Sequence, residues 1–224
     1  MKELAIYDMD RTITRTGTFT PFMLHAARRL APWRLILAPA AAMVALSYAA
    51  GLIERKSVKE INQGLMIGHR VSRDRFRAVA ESYADHILRF NVHRGALDAI
   101  AADRAAGRRL VMATASSRLY VEAIAARLGF DDVIATNGLQ GLDEFVSPRI
   151  DGENCYGDAK LRMIRAWMAA AGLDRANCHI RFYSDHASDA PVLEWADAPF
   201  AVNASRKLRT MAAAKGWPIL DWGI

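Results

Sequence analysis

From residue 109 to residue 220 the chain repeats one pattern: a short apolar run, a helical stretch, then glycine or polar residues. Residues 109–113, 133–136, 180–183, 200–202 and 218–220 read as strands. Residues 93–106, 118–128, 158–171, 187–195 and 205–214 read as helices, with Gly107, Gly129 and Gly172 as stops for the first three. Strands that alternate with helices of this length build βαβ units and a parallel sheet. Residues 138–157 are glycine-rich with short apolar pieces and read as a hairpin. At the N-terminus, residues 4–7 (Leu-Ala-Ile-Tyr) add one more buried strand. Between it and the alternating part, no strand signal breaks the helical patterning of residues 22–88. Four helices are expected there, over 22–30, 34–50, 57–66 and 73–90. Ser57 with Glu60 forms a capping box for the third, and Ser72 stands as N-cap of the fourth. The fold class expected is therefore α/β: a Rossmann-like parallel sheet flanked by helices, with an all-helical cap inserted after the first strand. Residues 1–15 and 90–224 form the core and 16–89 the cap.

The polar residues that could carry chemistry fall at strand ends and at the start of one helix. Asp8 and Asp10 follow the first strand directly and project into the crevice where open α/β sheets bind ligands. Carboxylates this close repel unless a cation or a shared proton relieves them. That arrangement suits a nucleophile and an acid/base with a hard metal ion between them. The strand 109–113 leads into Thr114-Ala115-Ser116-Ser117, hydroxyls at the start of a helix whose N–H groups favour an anion. Thr114, first after the apolar run, is preferred over Ser116 as the ligand donor. Lys160 lies in the first turn of its helix, where a cation is electrostatically out of place and is best explained by a bound anion. Asp185 ends the strand 180–183, and Asp189 follows one helical turn later. With Asp8 they give an oxygen-rich site suited to Mg²⁺ and lacking the His/Cys set that zinc prefers. His186 is read as structural or substrate-facing.

Charge is unevenly placed. Between Arg28 and Arg77 lie ten Lys and Arg against Glu54, Glu60 and Asp74, so this segment carries +7 of a chain whose net charge is +6. A basic segment beside a carboxylate-rich site suggests an anionic substrate or surface; without aromatic interleaving or a recognised motif, no nucleic-acid partner is expected. Within this segment, residues 35–53 run for nineteen positions without a charge, the length of a membrane span. One crossing would leave Asp8 and Asp10 on one side of the bilayer and the remaining strands on the other. If the sheet assembles, the helix is buried in the cap, packed in a homo-oligomer, or laid in a membrane interface with its basic flanks toward headgroups. Cys155 and Cys178 show no metal-ligand spacing, and Asp8 and Asp10 interrupt the place of a signal peptide's apolar stretch. The location expected is cytoplasmic, with the inner face of a membrane as the alternative.

Strand–D-x-D-x-T, apolar strand–Thr, a lysine, and strand–Asp-x-x-x-Asp, in this order, resemble the haloacid dehalogenase (HAD) superfamily. A helical insertion just after the first motif resembles its phosphoserine-phosphatase-like branch. N-C-Y-G-D-A-K-L (154–161) and Y-S-D-H-A-S-D-A-P-V-L-E (183–194) are similar to a phosphatase group within that branch. The cap resembles the family only in being helical and in its position. Arg11 stands where many members have Gly, and Ser184-Asp185-His186 replaces the commoner G-D-G. The resemblance implies a Mg²⁺-dependent phosphomonoester hydrolase in which Asp8 attacks phosphorus and Asp10 serves as acid and then base. Thr12 would steady the loop, and Thr114 and Lys160 would bind phosphoryl oxygens. Mg²⁺ would be held by Asp8, the Asp10 carbonyl and Asp185, with Asp189 in or just beyond that ring. The substrate expected is a small phosphorylated metabolite such as phosphoserine or a related amino-acid or amino-alcohol phosphate. The alternatives are a lipid phosphate taken at a membrane surface, or a phospho-ligand bound or transferred without net hydrolysis.

Overall fold

The computed structural model describes residues 1–140 and 145–223. Its strands form one sheet in the order β2-β5-β4-β3-β1-β6-β7-β8. These are β1 (Lys2–Tyr7), β2 (Val71–Ser72), β3 (Arg109–Ser117), β4 (Asp132–Gln140), β5 (Phe145–Asp151), β6 (Cys178–Ser184), β7 (Ala198–Val202) and β8 (Ile219–Leu220). All pairings from β4 through β8 are parallel, whereas β5 pairs antiparallel with both β4 and β2. The hairpin expected over 138–157 is thus formed by the end of β4 and by β5; residues 141–144 lie outside the described residues. β1 lies between β3 and β6, so the chain reverses its direction of travel across the sheet there. Ligands of open α/β sheets bind at such a switch point, off the strands' carboxyl ends.

Alternate side chains of the central strands point to opposite faces, as a period of two requires. Leu4, Ile6, Val111 and Ala113 pack on α7 (Asp158–Ala170), α8 (Ala190–Trp195) and α9 (Arg206–Lys215). Ala5, Tyr7, Leu110 and Met112 belong to a second core with α5 (Arg94–Ala105) and α6 (Arg118–Leu128). That second core continues without a break into the inserted helices α1 (Phe19–Leu30), α3 (Arg55–Met66) and α4 (Arg73–Phe90). Phe22 of α1 stacks on Tyr120 of α6 at 4.2 Å and meets Tyr83 of α4 edge-on at 5.1 Å.

Three expectations change. Arg55–Met66 begins two residues before Ser57, so the capping box is not made. Glu60 instead accepts the Ile150 N–H at 2.8 Å, tying α3 to β5. The insertion is not entirely helical, because Val71 and Ser72 pair with Val146 and Phe145 and extend the sheet by one edge strand. Ser72 does occupy the N-cap position of α4, without a side-chain hydrogen bond. The uncharged stretch is a 3-10 turn, Pro32–Leu37, leading into α2 (Ala38–Ala49), and no residue of either is buried. Leu35, Ala38 and Ala41 pack half-buried against the core, so the stretch lies on the cap rather than enclosed within it. A single crossing is excluded, since β1 precedes this stretch yet lies between two strands that follow it.

Candidate active site

All six site residues expected from the sequence, Asp8, Asp10, Thr114, Lys160, Asp185 and Asp189, line one cleft of about 610 Å³ at the carboxyl ends of β1, β3 and β6. Asp8 extends the pairing of β1 by donating its N–H to Tyr183 O at 2.9 Å. After it, residues 9–13 form one wide turn closed by Thr14 N–H to Met9 O at 3.0 Å. Arg11 takes φ 63° in this turn, the left-handed region that glycine enters without steric cost. This explains in backbone terms why glycine suits the position. The turn is held from outside by the Asn203 side chain, which donates to Arg11 O and Thr12 O at 3.2 and 3.3 Å.

The two carboxylates of the D-x-D pair have separate partners. Asp8 Oδ1 accepts from Lys160 Nζ at 2.8 Å, and Oδ2 lies 3.2 Å from the Thr12 hydroxyl. The same hydroxyl accepts the Asp185 N–H at 3.0 Å and lies 3.5 Å from Asp185 Oδ1, so one buried oxygen links the first and last motifs. Asp10 turns the other way. Its Oδ1 accepts from Thr18 N and Oγ1 at 2.6 and 2.8 Å, and its Oδ2 from Ser116 Oγ at 2.6 Å. Thr18 is fixed in turn by Tyr120 Oη at 3.0 Å and by the Tyr83 hydroxyl, which donates to Thr18 O at 2.8 Å. Burial, together with the nearby Asp10 charge, raises the pKa of both phenols, so they remain protonated donors.

Lys160 is 2% exposed, in the first turn of α7, and its ammonium bridges Asp8 Oδ1 and Asp189 Oδ2 at 2.8 and 2.6 Å. Burial alone would lower its pKa, but the carboxylates of Asp189 and Asp8 outweigh burial and hold it above the usual lysine range. Asp8 is pushed upward by burial and by Asp189 and Asp185, against the pull of Lys160. Asp185 is raised by burial and by Asp189, against Lys160 and Arg11. Three buried acids around one lysine leave a surplus of negative charge that a cation would relieve.

The oxygens left free decide what kind of cation fits. Asp189 Oδ2 is taken by Lys160 and by Ser184 Oγ at 2.7 Å, while its Oδ1 is buried with no hydrogen-bond partner. Asp10's carboxylate is committed to Thr18 and Ser116, leaving its carbonyl. Among the described residues no three His, Cys, Asp or Glu side chains are grouped to hold a metal by themselves. The donors available are two carboxylates, Asp8 and Asp185, a backbone carbonyl, and an orphan oxygen. Mg²⁺ is ordinarily held by one or two carboxylates and keeps several waters, so the set fits it and does not fit a soft metal.

β3 runs on to Ser117 past the expected end at residue 113, with a register shift between Thr114 and Ser117. Such bulges re-aim side chains beside active sites, and this one lies where Ser116 meets Asp10. Thr114 lines the cleft, its Oγ1 accepting the Ser116 N–H at 3.1 Å. His186 accepts the Ser188 N–H through Nδ1 at 3.2 Å and also lines the cleft. Ser116 and Thr18 went unassigned in the sequence because their roles depend on the bulge and on the loop's path. Arg55, Tyr48 and Tyr156 complete the cleft wall, with the Arg55 guanidinium 4.0 Å from the Tyr156 ring centroid. Nothing in the sequence separated Arg55 from the other basic residues around it.

The model of haloacid dehalogenase-like hydrolases matches residues 5–194, a span that holds every residue of this cleft. The chain belongs to that family. A Streptomyces azureus protein named for inhibition of morphological differentiation is 33% identical over 97% of this chain and 78% of its own length. A Mycobacterium tuberculosis protein named phosphoserine phosphatase is 28% identical over 66% of this chain, which spans only 47% of that relative. Among solved structures, a Bordetella pertussis protein of unknown function superposes with a TM-score of 0.88 at 26% identity, covering 99% of both chains. A phospho-aspartyl intermediate analogue of phosphoserine phosphatase superposes with a TM-score of 0.62 over 98% of this chain and 93% of its own. At 14% identity that likeness concerns the fold alone, and it places this HAD chain with the phosphoserine-phosphatase-like architecture.

Proposed function

We propose that this HAD hydrolase is a Mg²⁺-dependent phosphatase acting through an aspartyl-phosphate on Asp8. Its substrate would be a small phosphorylated metabolite such as phosphoserine or a related amino-acid or amino-alcohol phosphate. The observation that carries the reading is the division of partners within the D-x-D pair: Asp8 faces an ammonium, and Asp10 is oriented by three hydrogen bonds from Thr18 and Ser116. The names of relatives point the same way, including the mycobacterial phosphoserine phosphatase and a Neisseria meningitidis histidinol-phosphatase 25% identical over 52% of this chain.

Asp8 attacks phosphorus as the bond to the leaving oxygen breaks, and Asp10, which enters this step as the neutral carboxylic acid, gives that oxygen its proton. Asp10, now a carboxylate, takes a proton from the water that attacks the phospho-aspartate. The acyl-phosphate P–O bond breaks, phosphate leaves, and Asp8 is regenerated. Lys160 and Thr114 hold phosphoryl oxygens and offset the charge that develops on them. Mg²⁺, held by Asp8, Asp185 and the Asp10 carbonyl, would supply further charge neutralisation. Arg55 and His186 at the wall suit a polar or anionic leaving group.

With p-nitrophenyl phosphate and Mg²⁺, Asp8→Asn is expected to lose turnover while keeping its circular-dichroism spectrum and melting temperature close to the parent's. Normal turnover in that variant would sink the covalent route. Full activity of metal-stripped protein in excess EDTA would sink the Mg²⁺ assignment. A panel of phosphorylated amino acids and amino alcohols then tests the substrate class, and equal indifference to all of them would overturn it.

A further inference from the structure

The stretch that the sequence left open among several places has one half-buried side, where Leu35, Ala38 and Ala41 pack against the core, and one exposed side. In the window Pro32–Ala49, long and apolar enough by composition to cross a membrane, none is buried. Ile36 is 79% exposed, Leu52 75%, Trp33 64%, Met43 62% and Leu46 61%. A helix that is apolar on all sides is ordinarily buried in a core or in lipid, and the outer side of α2, with Met43 and Leu46, is in neither. Contiguous exposed apolar surface of this kind marks an interaction site.

Charge decides which partner it fits. Residues 35–53 carry no charge, and the chain on either side is net basic: Arg28, Arg29 and Arg34 precede it, the first two exposed at the end of α1, and Arg55 and Lys56 follow it against the single acid Glu54. Two copies meeting through this face would bring like charges together around it. An anionic surface would meet apolar insertion and basic flanks at once. Tyr48 of α2 and Arg55 also line the cleft, so whatever covers this face borders the mouth of the site.

We propose that the segment from Trp33 to Leu52 is a docking surface for an anionic lipid bilayer, lying flat in the interface with its basic flanks among the headgroups. The segment cannot cross, because β1 before it and β3 and β6 after it are neighbours in one sheet. Docking is a property of the outer face and does not depend on the chemistry proposed for Asp8.

The test is co-sedimentation of the full chain with vesicles of phosphatidylglycerol and phosphatidylcholine, and with vesicles of phosphatidylcholine alone. At low salt the protein should pellet with the anionic vesicles, remain in solution with the neutral ones, and be released as salt rises. The double variant Ile36→Glu, Leu46→Glu changes only exposed side chains and should lower the bound-to-free ratio roughly tenfold or more, since each lost insertion removes a fully buried aliphatic side chain. Asp8→Asn should bind as well as the parent, which separates a failure of docking from a failure of the catalytic reading. A parent that stays in the supernatant with anionic vesicles overturns the proposal. So does a double variant that pellets unchanged, or a dimer by sedimentation equilibrium that the same double variant converts to a monomer.

Discussion

Asp8 and Asp10 carry the same functional group two residues apart, and their chemistry diverges through their neighbours. Asp8 is paired with a buried cation, whereas Asp10 is held by hydroxyl and amide donors from Thr18 and Ser116. The Ser116 bond is the one of these that depends on the bulge in β3. Ser116→Ala removes one donor of three without touching substrate, so it tests a positioning role. A hydrogen bond to a charged group contributes about 1.5–3 kcal/mol, and part of that is expected in the transition state. The predicted result is a kcat about tenfold lower with KM little changed, together with a shifted limb in the pH–rate profile and recovery in Ser116→Thr. A change in KM alone, with the pH profile intact, would assign Ser116 to binding instead. At this scale the sequence showed the residues whose position in the chain is itself the signal: Asp8 and Asp185 at strand ends, Lys160 in a helix's first turn. Thr18 carried no such mark, because what it touches is set by how distant segments meet.

Elements were legible where one strong periodicity governed them. Arg73–Phe90 and Arg118–Leu128 have the bounds the pattern implies, the latter closed by Gly129 at φ 75°. Failures occur where tertiary contacts compete with local rules. Ser57 and Glu60 satisfy a capping box by spacing, but Glu60 is drawn to the β5 backbone and the helix starts earlier. Val71–Ser72 is too short to show alternation and exists as a strand only because β5 lies beside it. Asp103 on α5 shows the same limit in the core. It looks like an ordinary acid in a polar helix, yet it is 1% exposed. It accepts from the Tyr7 and Tyr183 hydroxyls at 2.6 and 3.0 Å, and it pairs with Arg181 and Arg108 at 2.5 and 3.2 Å. This network ties α5 to β1 and β6 behind the site. Removing one partner from a buried charged network leaves the others unsatisfied and costs about 3–5 kcal/mol. Asp103→Ala should therefore lower the urea midpoint by that equivalent with an unchanged m value, and Asp103→Asn by less. A loss under about 1 kcal/mol in the alanine variant would show that the network contributes little.

Across the whole molecule, the inserted helices and the α/β part meet at a buried cation. Lys59 of α3 is 7% exposed, and its ammonium donates to Ala115 O on β3 and to Asn154 Oδ1, both at 2.5 Å. Thr136 Oγ1 reaches the same two oxygens at 2.7 and 3.0 Å, so the junction joins α3, β3, β4 and the loop before α7. Burial, followed by the Arg55 charge, lowers Lys59 to about 7, only partly opposed by Asp10. In the unfolded chain a lysine titrates near 10.4, so between these values the unfolded state binds the proton more strongly than the folded one. Stability must then rise with pH across that window: the charge is a full burden below pH 7, the burden fades through the window, and it is gone above the unfolded pKa. Other groups also titrate here, including the Cys155 thiol, which ionises in this range once unfolded but is pushed up to about 12 by burial in the fold, so the contribution is read as a difference between parent and Lys59→Met. Chemical denaturation at pH 6 and pH 9 should show the parent gaining on the variant by up to ~1.4 kcal/mol per pH unit above 7, the slope of one proton. Because methionine keeps the stem's volume but not the charge, the variant should be relatively most stable at pH 6. A pH-independent difference would mean that Lys59 stays charged in the fold, and that the junction between insertion and sheet is an ion-dipole contact across the whole range.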